Sequence, residues 1–351
     1  MNDIMLYKNT VLVSSGLNRA ANMIYRALQE SKNLTVFPID IKSPFKNVES
    51  KNHIKKSKYN LIFGIPNVFK DHVEHGKVNI GYGMWETDKV PDSFKPSLES
   101  LDLLVVPTDH NVDVFAPHCK KVIKIPIPYP FHSSGQIYKG KDRVYTFYTI
   151  CTWIERKSPL EMLSAYFSEF DQSENVKMYM KIKHQTSKSF NMSKDVMKLI
   201  NKNQHPDYEI SEKLLSDKQI INIHLKNHCY VSLSKMEGWN FPLMDAYLSG
   251  NQIVSTHPQG VTEYFEKPFG FYPVSSNIGA VENMEWLGCL DKSHNWQIPD
   301  IDSARKQMRA AYEDWKQNPQ IDINKCTYRN EKLINKMHSS VFIKDLERNL
   351  P

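Results

Sequence analysis

Glu237 and Asp245 stand eight positions apart in a stretch, His228 to Ser255, whose punctuation says where each side chain falls. An apolar run, Cys229–Leu233, meets the polar turn Ser234-Lys235-Met236-Glu237-Gly238. A short helical segment from Pro242 to Ser249 follows, then a stop at Gly250 and a second apolar run at Ile253 and Val254. Proline lacks an N–H that the first helical turn does not need, and glycine takes the left-handed C-cap. The pattern therefore predicts a strand, a loop, a helix and a strand. Glu237 falls in the loop at the carboxyl end of the first strand, and Asp245 in the first turn or two of the helix. In a doubly wound sheet that is the crevice where nucleotides bind. Two cations, Arg156 and Lys157, lie in TWIERKSP (Thr152–Pro159) just before a second helix start. Ser158-Pro159-Leu160-Glu161 reads there as a capping box with Pro at the first helical position. Positive charge at a helix start is mildly unfavourable against the dipole, which tilts this pair toward a functional role.

The elements that must position these residues alternate. In the first part of the chain, apolar runs at Val11–Ser15, Leu34–Ile39, Leu61–Ile65, Val78–Tyr82, Leu103–Val106 and Val122–Ile125 read as strands. Asn18–Glu30 is an amphipathic helix, with Ala20, Met23, Ile24, Ala27 and Leu28 at helical spacing. Pro126 to Lys141, rich in Pro, Gly and Ser, reads as linker. A second alternation starts at Val144–Ile150 and continues through a helix to about Phe170 and a strand at Val176–Ile182. Tyr328 to Arg348 is helical and polar, with Leu333, Ile334, Met337, Val341 and Phe342 on one side. Strands alternating with helices predict parallel sheets covered on both faces.

The segment E-G-x-x-F-P-L-x-D-A-x-x-S-G, followed by PQGVTEYF (Pro258–Phe265), resembles the E-x7-E signature of retaining glycosyltransferases of family four. Here the second acid is Asp245, one methylene shorter. The resemblance implies an α/β protein of GT-B architecture, two Rossmann-like domains with parallel sheets facing across a cleft. Their expected bounds are an acceptor-side domain at 1–130, a linker at 131–143, a nucleotide-sugar domain at 144–327 and a C-terminal helix, 328–351, packing back on the first domain. It also implies roles. The donor leaves as a diphosphate, so fixed cations and helix N-termini must stabilise growing negative charge. Lys157 fits that role first and Arg156 second. Glu237 would sit near the transferred sugar, Asp245 would accept from the ribose hydroxyls, and Gly238 belongs to the same donor loop. The family's earlier Gly-Arg pair is replaced here by Cys151-Thr152, so Lys181 or Lys183, at the end of the next strand, becomes a candidate phosphate contact. Gly16, in VSSGLNR, opens the first helix where backbone could approach a phosphate or sugar. GYGMWETDKVPDSF (Gly81–Phe94) and VVPTDHNVDVF (Val105–Phe115) resemble paired segments of some members, which makes Trp85, Glu86, Thr87 and His110 acceptor-side candidates.

Other classes are weighed against this. The D-x-D that binds a divalent ion in GT-A transferases occurs clearly only at Asp300-Ile301-Asp302, before a helical pattern in which Asp302 reads as an N-cap. No catalytic metal and no cofactor are expected; a UDP-, GDP- or dTDP-linked sugar enters as substrate. A silent sugar-nucleotide-binding module, and a GT-B phosphorylase or epimerase, remain as rivals. At 351 residues, 40% hydrophobic and 24% charged, the chain has the size of two ordinary domains. Five scattered cysteines without a C-x-x-C pair point to a reducing compartment, and no apolar run reaches the ~18 residues of a membrane span. Cytoplasmic location is expected, with peripheral membrane contact left open. The net charge is +6, and Lys42, Lys46, Lys51, Lys55, Lys56 and Lys58 cluster in the acceptor-side domain. Such a loop suits a polyanion. A surface glycan on a lipid or protein carrier ranks first as acceptor. DNA with hydroxymethylated bases, the substrate of some phage enzymes of this architecture, ranks second and would require the base to leave the stack.

Overall fold

The computed structural model describes residues 2–8, 16–40, 56–129, 144–183, 192–199, 205–257, 260–265, 270–319 and 323–351. The expected strand at Val11–Ser15, the linker at 131–143 and Lys42, Lys46, Lys51 and Lys55 lie outside them. The chain divides into two compact units, Met1–His132 with Lys332–Pro351, and Ser133–Glu331.

The first unit holds a six-stranded sheet of β1 (Asn2–Lys8), β2 (Leu34–Asp40), β3 (Tyr59–Phe63), β4 (Val78–Tyr82), β5 (Leu103–Val106) and β6 (Val122–Lys124). The spatial order is β2-β1-β3-β4-β5-β6 and every pairing is parallel. β3 and β5 are buried along their whole length, as strands covered on both faces must be. Helix Gly16–Gln29 buries Ala20, Ala21, Met23, Ile24, Ala27 and Leu28, the face its periodicity predicts. The C-terminal segment forms two helices, Ile323–Met337 and Ser339–Asn349, where one was expected. They break at His338, whose ring accepts from the Ser340 N–H and caps the second helix. That helix belongs to the first unit: Ser31 and Asn33 both donate to Glu347, and Phe342 lies 6.3 Å from the Tyr82 ring.

The second unit carries β7 (Tyr145–Thr152), β8 (Val176–Lys183), β9 (Asp207–Ser211), β10 (Cys229–Ser232), β11 (Gln252–Thr256) and β12 (Phe271–Val274). Their order is β12-β11-β10-β7-β8-β9, again all parallel. The order reverses between β7 and β10. Residues of β7 alternate between two cores. Tyr145 and Phe147 pack with Met162, Tyr166, Met308 and Tyr312 from helices Pro159–Glu169 and Ile301–Gln317. Tyr148 points to the opposite face, where its hydroxyl meets His224 Nδ1 at 2.8 Å and accepts from Asn251 at 2.6 Å. A two-stranded antiparallel hairpin, β13 (Ser276–Ala280) with β14 (Asn295–Pro299), precedes helix Ile301–Gln317. Among the described residues no helix is long and apolar enough to cross a membrane.

Candidate functional site

A doubly wound sheet opens a crevice where its strand order reverses, beyond the carboxyl ends of the two strands involved. In the second unit those strands are β7 and β10. The loop after β7 carries Glu155, Arg156 and Lys157 in a short 3-10 turn; the loop after β10 carries Ser234 to Asn240. The two loops are bonded to each other. Lys235 N–H donates to Arg156 O at 2.7 Å, and Arg156 Nη1 donates to Met236 O at 2.8 Å and to Glu237 Oε2 at 3.2 Å. Lys157 Nζ pairs with Glu237 Oε1, and the Ser234 hydroxyl donates to the same oxygen at 2.8 Å. The three leading candidates, Glu237, Lys157 and Arg156, therefore form one charged cluster at the switch point.

Glu237 is 7% exposed. Burial, the largest single influence, pushes its carboxyl up in pKa. The charges of Lys157 and Arg156 and the hydrogen bonds from Lys157 and Ser234 together outweigh it, and hold the group below the ordinary glutamate value. At neutral pH this is a carboxylate. Burial pushes the Cys151 thiol up to about 11; the charges of Lys157 and Lys181 lower it and that of Glu237 raises it, so all three lie within electrostatic reach of the end of β7. Lys181 itself sits in β8 opposite Ile150 and donates to Ile182 O at 2.9 Å. Burial lowers its pKa, opposed by Glu212 and Cys151. Lys183 at the strand's end is exposed.

Backbone strain gathers in the same loops. Among the described residues three non-glycine positions have positive φ, and two of them are Ser158 (φ 50°) and Asn240 (φ 76°). Such conformations cost about 1–3 kcal/mol each and persist where surroundings over-determine them. Asn240 caps helix Phe241–Leu248 by accepting from Leu243 N–H at 3.3 Å, and its amide donates to Ser232 Oγ at 3.1 Å. Asp245 lies half-buried on that helix, with its charge felt at Tyr148. Gly238 is buried directly after Glu237. The following segment packs on this loop: Val261 N–H donates to Trp239 O at 2.8 Å, and Gly260 (φ +45°) leaves no room for a side chain. The indole N–H of Trp239, 3% exposed, has no hydrogen-bond partner among the described residues.

Two expectations are corrected. Ser158 does not form a capping box, because its left-handed backbone gives no side-chain cap and Glu161 turns toward Lys235, 3.4 Å away. Asp302 is not the N-cap of the late helix; Asp300 caps it, accepting from Ser303 N–H at 2.9 Å, while Asp302 pairs with Arg305. Trp85, an acceptor-side candidate, is buried, with its N–H given to Thr87 Oγ1 at 2.7 Å and Lys89 O at 2.9 Å, and its ring meets Phe94 edge-on. Thr87 is buried with it, Glu86 is half-buried, and His110 sits in the first turn of helix Asp109–Phe115. Burial lowers the His110 pKa against the pull of a Thr87 backbone hydrogen bond, Asp113 and Asp88, so the ring is neutral at pH 7. Its Nε2 has no hydrogen-bond partner among the described residues. Gly16 begins helix Gly16–Gln29 and is exposed. Ser234, Lys235 and Glu155 were not anticipated as site residues: Ser234 bonds Glu237 within its own loop, whereas Lys235 and Glu155 pair across 80 positions that nothing local marks.

No protein-family model and no curated protein sequence matches the chain. Solved structures do. Anabaena HepE, determined with UDP and glucose, superposes with a TM-score of 0.66 at 8% identity over 99% of both chains. The UDP-forming α,α-trehalose-phosphate synthase of Burkholderia xenovorans gives 0.62 at 10% identity, also over 99% of both. The pneumococcal O-GlcNAc transferase GtfA, with UDP and GlcNAc, gives 0.56 at 12% identity, over 82% of this chain but 55% of its own. The chain has the GT-B fold. Its two all-parallel six-stranded sheets and the reversal of strand order between β7 and β10 are consistent with this architecture.

Proposed function

We propose that the chain is a retaining glycosyltransferase that moves a sugar from a nucleotide-sugar donor to a hydroxyl acceptor, a surface glycan or its carrier. The observation that carries this reading is the Glu237 carboxylate held by Lys157 and Arg156 at the switch point of the second sheet. A donor diphosphate would take those two cations, with Lys181 as a further contact, and would free Glu237 to meet the sugar. As the bond from the anomeric carbon to the phosphate oxygen breaks, positive charge builds on the sugar ring and negative charge on the diphosphate. Glu237 stabilises the first and Lys157 with Arg156 the second, each preorganised before reaction. Asp245 accepts from the ribose hydroxyls, and Gly238 lets backbone approach the donor. Trp85, Glu86 and His110 remain the acceptor-side candidates.

The reaction so drawn uses no resident cofactor and no metal; Asp300 and Asp302, the D-x-D candidate, are engaged as a helix cap and in a local ion pair. We propose a cytoplasmic location, which the five scattered cysteines without a C-x-x-C pair support. The test is product analysis by mass spectrometry and NMR, with UDP-, GDP- and dTDP-sugars supplied against glycan primers and hydroxymethylcytosine DNA. A glycosylated product with the donor's anomeric configuration, formed in EDTA, is expected. An inverted product, or activity lost to EDTA and restored by manganese, overturns the mechanism; phosphorolysis or epimerisation overturns the reaction class.

A further inference from the structure

Lys235 lies two residues before Glu237, is 5% exposed, and does not touch Glu237 through its ammonium. That ammonium pairs with Glu155, stands 3.4 Å from Glu161 Oε1, and lies 5.0 Å from the Trp296 ring centroid in β14. Glu155 directly precedes Arg156 and Lys157, and Glu161 follows them on the next helix. These two are the carboxylates nearest in sequence to the cations assigned to the diphosphate. Left without a counter-ion, they would compete with phosphate for Arg156 and Lys157. The geometry of the loops has separate support, since Lys235 N–H donates to Arg156 O and Gln297 N–H donates to Lys235 O at 3.0 Å, both through the backbone. The side chain is therefore available for a task in charge. The cluster holds three cations, Arg156, Lys157 and Lys235, and three carboxylates, Glu155, Glu161 and Glu237. Removing the Lys235 charge leaves Glu155 and Glu161 without the cation they share.

We propose that Lys235 is a positioning residue that sequesters Glu155 and Glu161 and so reserves Arg156 and Lys157 for a ligand diphosphate. The inference rests on the donor-site reading above. It also explains why Glu161 does not complete a capping box: its carboxylate is directed to Lys235 instead of to the Ser158 backbone.

The test is isothermal titration of the full chain with UDP, GDP, ADP and dTDP, and with the uncharged nucleoside of whichever binds tightest. Lys235→Met should weaken the nucleoside diphosphate about tenfold or more, as loss of a buried charge partner does, and leave the nucleoside unchanged. Adding Glu155→Gln and Glu161→Gln to that variant should restore diphosphate affinity. If Lys235→Met does not fold, Glu155→Gln with Glu161→Gln in the presence of Lys235 serves: diphosphate affinity should hold or rise. Unchanged diphosphate affinity in Lys235→Met, equal loss for nucleoside and diphosphate, no rescue in the triple variant, or a fall in the carboxamide pair each overturns the role of Lys235. Wild-type protein that binds none of the four diphosphates overturns the donor site itself.

Discussion

Lys157 and Glu237 meet in one ion pair although 80 positions of chain separate them, because β7 and β10 lie side by side and release their loops toward the same crevice. The pair is buried on the acid's side, 6% exposed, and partly open on the lysine's, 17%. A cation that is reachable from solvent while its counter-ion is fixed can exchange that counter-ion for a phosphate.

Lys157→Ala is expected to reduce turnover by roughly 10²–10³-fold, the range for removing one preorganised group that stabilises charge in the transition state. Glu237→Gln should lower turnover with little change in nucleotide affinity. Steady-state kinetics with the donor found by product analysis would measure both. Wild-type turnover and unaltered donor affinity in Lys157→Ala would remove the diphosphate assignment.

The acid pair member also predicts a pH dependence of stability. A carboxyl held below its ordinary value in the fold stabilises the fold above that value, and the contribution fades as pH falls through the folded pKa. Glu237 lies below the ordinary 4.5. The stability difference between wild type and Glu237→Gln should therefore be flat near neutrality and shrink only below about pH 4.5. Denaturant titrations between about pH 3 and pH 7 would show it. A difference that grows as pH falls would contradict the assigned shift.

Asp245 tests the nucleotide half of the site. Asp245→Asn should weaken nucleotide binding by about 10–100-fold, corresponding to hydrogen bonds made by a charged group. Asp245→Glu should be tolerated, because it restores the acid of the E-x7-E pattern. Calorimetry that finds nucleotide affinity untouched in Asp245→Asn would end the ribose assignment.

Gly260 tests how the donor loop is shaped. A Cβ there would lie 2.5 Å from Trp239 O, with φ at +45°. Gly260→Ala should cost about 1–3 kcal/mol and weaken nucleotide binding together with stability, since Trp239 follows Glu237 by two residues. A thermal melt indistinguishable from wild type would mean that this loop yields easily.

What the sequence revealed and what it hid divide along physical lines. The strand–loop–helix–strand unit at His228 to Ser255 was legible because Pro242, Gly250 and the apolar runs are local signals, and β10, helix Phe241–Leu248 and β11 fall there. β9, with the sequence DYEIS, was not legible: a polar edge strand has no apolar run to display. β1 has only a short apolar centre between charged ends, and the first longer apolar run, Val11–Ser15, lies outside the described residues. Arg156, Lys157 and Glu237, which the fold brings together, are singled out by types and spacing that a family motif also carries. Lys235 could not be found that way. Its role is set by Glu155, Glu161 and Trp296, which only the folded chain assembles, and the same long-range pairing dissolved the capping box at Ser158.

The acceptor can be separated by salt. Of the lysine cluster, Lys56 and Lys58 are both exposed, and Lys58 donates to Pro351 O at 3.1 Å and lies 4.9 Å from the Tyr59 ring. A cation already engaged is a weaker contact for a polyanion. With a glycan or carrier as acceptor, a filter-binding titration should detect no duplex DNA binding at physiological salt. A nucleic-acid acceptor would instead give affinity that falls with salt at a slope near −0.9 per phosphate neutralised. Reversing the charge of Lys55, Lys56 and Lys58 together would then flatten that slope by up to about three contacts. Donor hydrolysis should survive the triple change in either case, because the donor cluster of Glu237, Lys157 and Arg156 belongs to the second unit and these lysines to the first. A steep slope in the wild type, flattened in the variant, would transfer the acceptor from glycan to DNA while leaving the donor site as assigned.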